Sequence, residues 1–437
     1  MDFTLKSKTK SMNIKRRDFI RTSAVTIGAT ALVSGVSGCT TPVTETKSKS
    51  PLDDLKSMTD NIVPISVEER KARIEKAQKL MAENKIDAMY LDGGTGMEYF
   101  TGVDWGTSER MMAAIIPAKG DLKYVVPHFE EARLRELITI GTDVRVWEEH
   151  ESPYKVVAGI FTDAGIKTGK IAMEERVRFF LYDGIRKEAA HLEYLSADPV
   201  TIPCRMFKSS AEIALMQTAN EITLASYKVA VAMLKEGMTQ GELSGIIAQA
   251  HTKMGARGGA FVSFGEYTAF PHGSSVPQQL KNGDVVLMDG GCSVGGYGSD
   301  ITRTLVFGEP TKRQREVWDL EKASQAAGFA AAKLGDACEN VDIAARKVIT
   351  DAGFGPGYKV PGLPHRTGHG IGMDGHEWGN MVLGNKKLLE PGMCFSIEPN
   401  ISIYGEFGIR LEDCVYMTEQ GAKWFTQPAE SLDKLFG

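Results

Sequence analysis

Apolar positions fall into two regimes along the chain. In "SVEERKARIEKAQKLMAENKI", Ile74, Ala77, Leu80 and Met81 share one helical face, with charged residues between them. Short apolar runs follow at close intervals: "DAMYLDG", "AAIIPA", "LKYVVP", "DVRVWE" and "GKIAME". The helical pieces "FEEARLRELI" and "SPYKVVAGIFTDAGI" lie between them. This alternation predicts a smaller three-layer α/β domain over residues 62–205. From residue 206 to 437 the order changes. Two long amphipathic helices open this part, then strand-like "GGAFVSFGEY" and "DVVLMDGGCSVGGYGSDITRTLVFG", then helical "KRQREVWDLEKASQAAGFAAAKL" and "NVDIAARKVITDAGF". The end reads as strands in "GMCFSIEPNISIY", "GIRLEDCVYMTE" and "AKWFTQ". Helices in one run and strands in another predict an α+β domain.

The first 61 residues follow neither pattern. In "MNIKRRDFIRTSAVTIGATALVSGVSGC", the adjacent Arg16 and Arg17 precede a weakly apolar stretch that ends at Val36. That layout predicts a secretory signal over residues 1–39, and the arginine pair points to the twin-arginine route. The apolar stretch is too short, and too rich in Thr, Ser and Gly, for a membrane span. "VSGC", Val36 to Cys39, resembles a lipobox, which implies a lipid anchor at Cys39 and a periplasmic protein tied to the membrane. Met12 reads as an alternative start. Residues 40–61 are polar and read as a flexible tether.

Composition narrows the classes. The 437-residue chain is 42% hydrophobic and 24% charged, enough for more than one packed domain. Its net charge of −5 offers no basic surplus for nucleic acid. Of six cysteines, five remain if Cys39 is lipidated, an odd number that cannot all pair, and their spacing matches no zinc site. They read as buried thiols. No H-E-x-x-H or Walker motif is present, which argues against a zincin and an ordinary nucleotide-binding enzyme. "GCSVG", Gly291 to Gly295, and "GIGMDG", Gly370 to Gly375, match the G-x-S-x-G and G-x-G-x-x-G spacings, but neither joins a strand-like run to a helical one as those motifs require.

Four acids sit in apolar, strand-like settings. Asp289 ends "VVLMD", and Asp300 follows eleven positions later, after a Gly-rich turn. Glu398 ends "CFSIE", and Glu412 lies in "IRLED". Each alone fits a salt bridge or a solvated strand end. Together they would repel one another, and an acid among apolar residues is costly to bury unpaired. A shared divalent cation relieves both costs. The strip "HRTGHGIGMDGHE", His365 to Glu377, supplies three of the eight histidines. Gly368, Gly370 and Gly372 around His369 disfavour a helical zinc pair and allow close approach of backbone or substrate.

Asp289, Asp300, His369, Glu398 and Glu412, in "DGG…SDITRT", "GHGIG…HE", "PGMCFSIEPN" and "GIRLED", resemble the ligand pattern of the pita-bread metallopeptidases. That family contains methionine aminopeptidase, Xaa-Pro aminopeptidase and prolidase. The resemblance spans the second domain, and the first looks like the creatinase-like domain that precedes it in the proline-specific branch. It implies two divalent ions (Mn, Co or Zn): Asp289 on one, Asp300 and Glu412 bridging both, His369 and Glu398 on the other. A hydroxide held between the ions would attack the peptide carbonyl, with Glu398 carrying the proton. His272, His365 and His376 match the substrate-facing histidines of that branch, and Arg410 resembles a residue that steadies the carboxylates. The implied function is release of the N-terminal residue from Xaa-Pro peptides, by an aminopeptidase or a dipeptidase working as a homo-oligomer. An alternative is a same-fold hydrolase or lyase acting on a small non-peptide compound, resembling ectoine hydrolase. Creatinase-type relatives lack the metal ligands. A non-catalytic scaffold fits less well, because such relatives lose ligands and none is lost here.

Overall fold

The computed structural model describes residues 49–436. Met12, Arg16, Arg17 and Cys39, and with them the signal and lipobox readings, lie outside the described residues.

Ser66 starts α1 (Val67–Glu83) by accepting the Glu69 N–H at 3.1 Å. Then come β1 (Ala88–Asp92), α2 (Thr95–Thr101), β2 (Ala113–Pro117), β3 (Lys123–Pro127), α3 (Glu131–Leu137) and β4 (Asp143–Trp147). α4 (Pro153–Asp163), β5 (Lys170–Met173), α5 (Phe179–Glu188), β6 (Glu193–Ser196) and α6 (Asp198–Arg205) complete this domain. Its six strands form one sheet in the order β4-β3-β2-β1-β5-β6. The β1–β2 and β2–β3 pairs are antiparallel and the other three parallel. Successive residues enter different cores. Met89, Leu91, Ala114 and Ile116 pack with Ile74, Ala77 and Met81 of α1. Ala88, Tyr90, Ala113 and Ile115 pack with Val157 and Ile160 of α4 and Leu181 and Ile185 of α5. A sheet covered on both faces needs apolar residues at every position, so these strands read as continuous apolar runs.

In the second domain, α7 (Ser210–Ala232) and α8 (Gln240–Lys253) each start at a capping box, Ser209 with Glu212 and Thr239 with Glu242. They are followed by β7 (Arg257–Phe264), β8 (Val285–Val294), β9 (Tyr297–Gly298), β10 (Ile301–Val306), α9 (Lys312–Ala331) and α10 (Glu339–Asp351). The remaining strands are β11 (Gly368–Gly370), β12 (Glu377–Met381), β13 (Cys394–Ile397), β14 (Asn400–Ile403), β15 (Phe407–Arg410), β16 (Asp413–Thr418) and β17 (Gly421–Trp424). One sheet runs β10-β8-β7 with β9 on β8, a second runs β12-β11-β13-β16-β17, and β14 pairs with β15. A two-residue bridge between Thr302 and Glu412 joins them, with N···O distances of 3.3 and 3.2 Å. Behind it the fully buried Arg303 pairs with Asp413 at 2.7 Å and donates to the Glu412 carbonyl at 3.0 Å.

The described end of the expected tether is packed. Ser50 caps a single 3-10 turn, Pro51–Asp54, and Leu52 is buried with Leu215, Ala250 and Met254. The Met58 N–H donates to the Met254 carbonyl at 3.0 Å. The polar composition of this stretch concealed Leu52 and Leu55, which pack with Ile62 against residues of α7 and α8.

The two domains meet at a buried cluster of charge. Glu377 accepts from Arg205 Nη2 at 2.6 Å and Lys208 Nζ at 2.8 Å. Burial alone would raise this carboxyl, but the charges of Lys208 and Arg205 prevail and hold it at about 2, below its ordinary 4.5. A depressed folded value means that the contribution to stability is complete above pH 4.5 and is lost as pH falls toward about 2. Breaking a buried pair costs about 3–5 kcal/mol. Glu377→Gln should therefore open a stability gap from wild type that is widest above pH 4.5 and narrows toward about 2. Denaturant titrations across that range read the gap, and one that stays constant with pH contradicts the account.

Candidate metal centre

Asp289 lies in β8 and Asp300 immediately precedes β10. The antiparallel register sets Thr302 opposite Asp289, so the hairpin returns Asp300 to the same end of the sheet. The Thr302–Glu412 bridge then adds the third acid, and carboxylate oxygens of Asp289, Asp300 and Glu412 lie within 4.8 Å of one another. His369 is the middle residue of β11, between β12 and β13, and Glu398 follows β13 directly. A Cβ on Gly368 would lie 2.0 Å from the Ser396 carbonyl oxygen, and one on Gly370 would lie 1.8 Å from that of Trp378. Neighbouring backbone, not substrate, is what these two glycines admit. His369, Glu398 and Glu412 form a second group, and Asp300, His369 and His376 a third, within the same 4.8 Å, so Glu412 belongs to the first two.

The polarity of the cluster is one-sided. His369 Nδ1–H donates to the Gly370 carbonyl at 3.1 Å, because a carbonyl can only accept. In the neutral ring that leaves the Nε2 lone pair facing Glu398 Oε1 at 3.1 Å and Asp300 Oδ2 at 3.8 Å. Glu412 Oε1 is buried without any partner. Burial and the charge of Asp289 push Asp300 up to about 7. Burial and the charges of Asp300, Glu398 and Asp289 push Glu412 well above the carboxylate range. Burial opposes a charge on His369, but the hydrogen bond and charge of Glu398 prevail and raise it. Four carboxylates and one imidazole lone pair meet with too few protons between them, and divalent cations fit that donor set.

Arg410 lies beside the cluster. It is paired with Asp289 and donates to Thr302 Oγ1 at 3.2 Å and the Pro271 carbonyl at 3.0 Å. Thr302 Oγ1 in turn donates to Glu412 Oε2 at 2.8 Å. Ser396 Oγ lies 3.2 Å from Glu398 Oε1 and accepts the His369 N–H at 3.1 Å. Neither Thr302 nor Ser396 was singled out from sequence. The signal was there: each lies two positions from an acid, Asp300 or Glu398, on a strand whose side chains alternate.

The cluster opens into a cavity of about 490 Å³ that His272, His365 and His376 line together with Phe261 and Arg366. The half-buried His365 and the more exposed His376 have opposite polarity. His365 Nδ1–H donates to the Arg366 carbonyl at 2.7 Å, so its Nε2 carries a lone pair. His376 Nδ1 accepts from Arg366 Nη2 at 2.9 Å, since guanidinium only donates, so its Nε2–H is a donor. Burial lowers His365, and burial with the charges of His369 and Arg366 lowers His376 to about 4, so both rings are neutral at pH 7. Arg366 is a further residue that sequence reasoning passed over.

Residues 214–419 match the metallopeptidase family M24, and residues 73–207 match the creatinase/prolidase N-terminal domain. The Xaa-Pro dipeptidase of Lactobacillus delbrueckii subsp. lactis is 32% identical over 374 residues, covering 83% of this chain and 98% of that protein. The crystal structure of prolidase from Thermococcus sibiricus aligns with a TM-score of 0.76 at 30% identity, over 82% of this chain and 97% of that one. Dipeptidase PepE from Mycobacterium ulcerans aligns with a TM-score of 0.78 at 29% identity, over 86% of this chain and 99% of that one. The chain belongs to metallopeptidase family M24, with a pita-bread catalytic domain behind a creatinase-like N-terminal domain.

Proposed function

We propose that the protein is a two-metal Xaa-Pro dipeptidase that releases the residue preceding proline. The carrying observation is the meeting of five metal donors and three imidazoles in one cavity. The relatives named Xaa-Pro dipeptidase and prolidase support the substrate class. Asp289, Asp300, His369, Glu398 and Glu412 would hold the ions, Mn, Co or Zn, with Glu412 shared between the first two groups. Bound there, divalent ions supply Lewis-acid polarisation of a carbonyl and acidify water. Glu398 Oε1 accepts from Ser396 Oγ at 3.2 Å and faces His369 Nε2 at 3.1 Å. Its other oxygen takes a proton from the attacking water and passes it to the leaving proline nitrogen. The His376 Nε2–H donates to the oxygen on which charge develops. The His365 Nε2 lone pair accepts from the substrate's amino group, because the scissile Xaa-Pro nitrogen carries no hydrogen. Arg410 keeps Asp289 in place.

Metal-loaded protein should hydrolyse Xaa-Pro dipeptides faster than longer Xaa-Pro peptides, and His369→Ala should lower kcat by at least about a hundredfold. Faster turnover of the longer peptides would assign an aminopeptidase. No proline-dependent turnover, with hydrolysis of small non-peptide amides instead, would contradict the reading.

We also propose export by the twin-arginine route, with Cys39 lipidated and the enzyme held in the periplasm as a homo-oligomer. The arginine pair before a weakly apolar stretch that ends in "VSGC" supports it. Arg16→Lys with Arg17→Lys should confine the protein to the cytoplasm in cell fractionation. Undiminished periplasmic protein in the double variant contradicts this route.

A further inference from the structure

The His376 ring accepts from Arg366 at Nδ1 and lies against the His369 ring at 3.9 Å between centroids. Neither holds the backbone that carries it. That backbone is the turn from Gly372 to Glu377, and it is wrapped around the Glu377 carboxylate. Glu377 Oε1 accepts the Asp374 N–H at 3.2 Å, and a Cβ on Gly372 would lie 2.6 Å from Oε2. On its other side the carboxylate meets Arg205 at the end of α6, and Lys208 three residues beyond. The side chains of Arg205, Lys208 and Glu377 are each 2% exposed. Arg205 Nη2 also reaches Asp374 Oδ2 at 2.5 Å. Asp374 Oδ1 in turn accepts from two groups of the N-terminal domain, Thr95 Oγ1 at 2.8 Å and Arg176 Nη1 at 2.7 Å.

We propose that Arg205 and Glu377 are positioning residues for His376, and that through Asp374 the N-terminal domain sets where the His376 donor points in the cavity. Three desolvated charges are a poor means of gaining stability, since apolar groups of similar volume do as well or better. Arg205 Nε and Nη1 are moreover buried without hydrogen-bond partners. What the cluster does supply is a fixed turn. His376 is the residue next to Glu377, so its Cα cannot move without disturbing two charge-assisted contacts. A displacement of about 1 Å in a group that meets the reacting atoms costs on the order of a hundredfold in rate. The kinetic side of this proposal rests on the peptidase reading, and its spectroscopic side does not.

The test combines a mutant cycle with a ring probe. Arg205→Met, Glu377→Gln and Arg176→Met are each made in the full chain, alone and with His376→Ala. Arg176 is surface-exposed, so its variant folds even where removal of a buried partner is too costly. In the wild-type background, kcat on an Xaa-Pro dipeptide should fall about ten- to a hundredfold for Arg205→Met and Glu377→Gln, and a few-fold for Arg176→Met. KM and bound-metal stoichiometry should stay unchanged. With His376 already Ala, the same substitutions should cost nothing further. In protein carrying ¹⁵N-labelled histidine, the His376 ring signals, assigned by their loss in His376→Ala, should shift in Arg205→Met while those of His128 do not. If no Xaa-Pro substrate is turned over, the peptidase reading fails and the ring signals alone decide. Equal losses in both backgrounds, loss of metal, or unmoved His376 signals overturn the proposal.

Discussion

Everything at the site follows from one electrostatic constraint. Four carboxylates and the Nε2 lone pair of His369 converge with no donor among them. Left alone, such a group holds extra protons, as the raised Asp300 and Glu412 show. Cations resolve the conflict without protons, and the family to which the chain belongs is one of metallopeptidases. The cluster costs folding free energy that the rest of the domain must offset. The acids stand within or directly beside strands: Asp289 inside β8, Asp300 just before β10, Glu398 just after β13 and Glu412 at the bridge to Thr302. The Thr302–Glu412 bridge is the link between the two sheets, and Arg303 and Asp413 fill the space behind it with a satisfied ion pair.

The histidines show how the same frame assigns chemistry. His365, His369 and His376 differ by a few positions, yet each presents a different atom. Two are oriented by backbone carbonyls and one by Arg366, so two offer lone pairs and one offers a proton. A cavity with acceptor and donor imidazoles on its wall can address both the amino group and the carbonyl oxygen of one Xaa-Pro substrate, whose scissile nitrogen carries no hydrogen. The turn that carries His376 is in addition tied to the first domain, which makes that domain part of the active-site geometry.

Most of the architecture was legible because it obeys local rules. The strands of the first domain are apolar throughout, and α7 and α8 begin at capping boxes that a sequence displays openly. The acids were legible because charge within an apolar run is costly and therefore conspicuous. β11 was not, since a strand of Gly368, His369 and Gly370 has almost no propensity of its own and forms only between β12 and β13. α6 was hidden by Pro199 and Pro203, although the first lies in the opening turn, where proline is tolerated. The partners of Glu377 were invisible for another reason. Arg205 and Lys208 lie 172 and 169 positions away, and no periodicity links them. Ring polarity was equally hidden, because it depends on which carbonyl or guanidinium reaches each nitrogen after folding.

The most direct measurement is anomalous diffraction at the manganese edge from crystals of the manganese-loaded protein. The account predicts two peaks about 3.5–4 Å apart. Oxygens of Asp300 and Glu412 should contact both, with Asp289 at one peak and His369 and Glu398 at the other. A cavity without a peak, or a single peak that Glu412 does not touch, would contradict it.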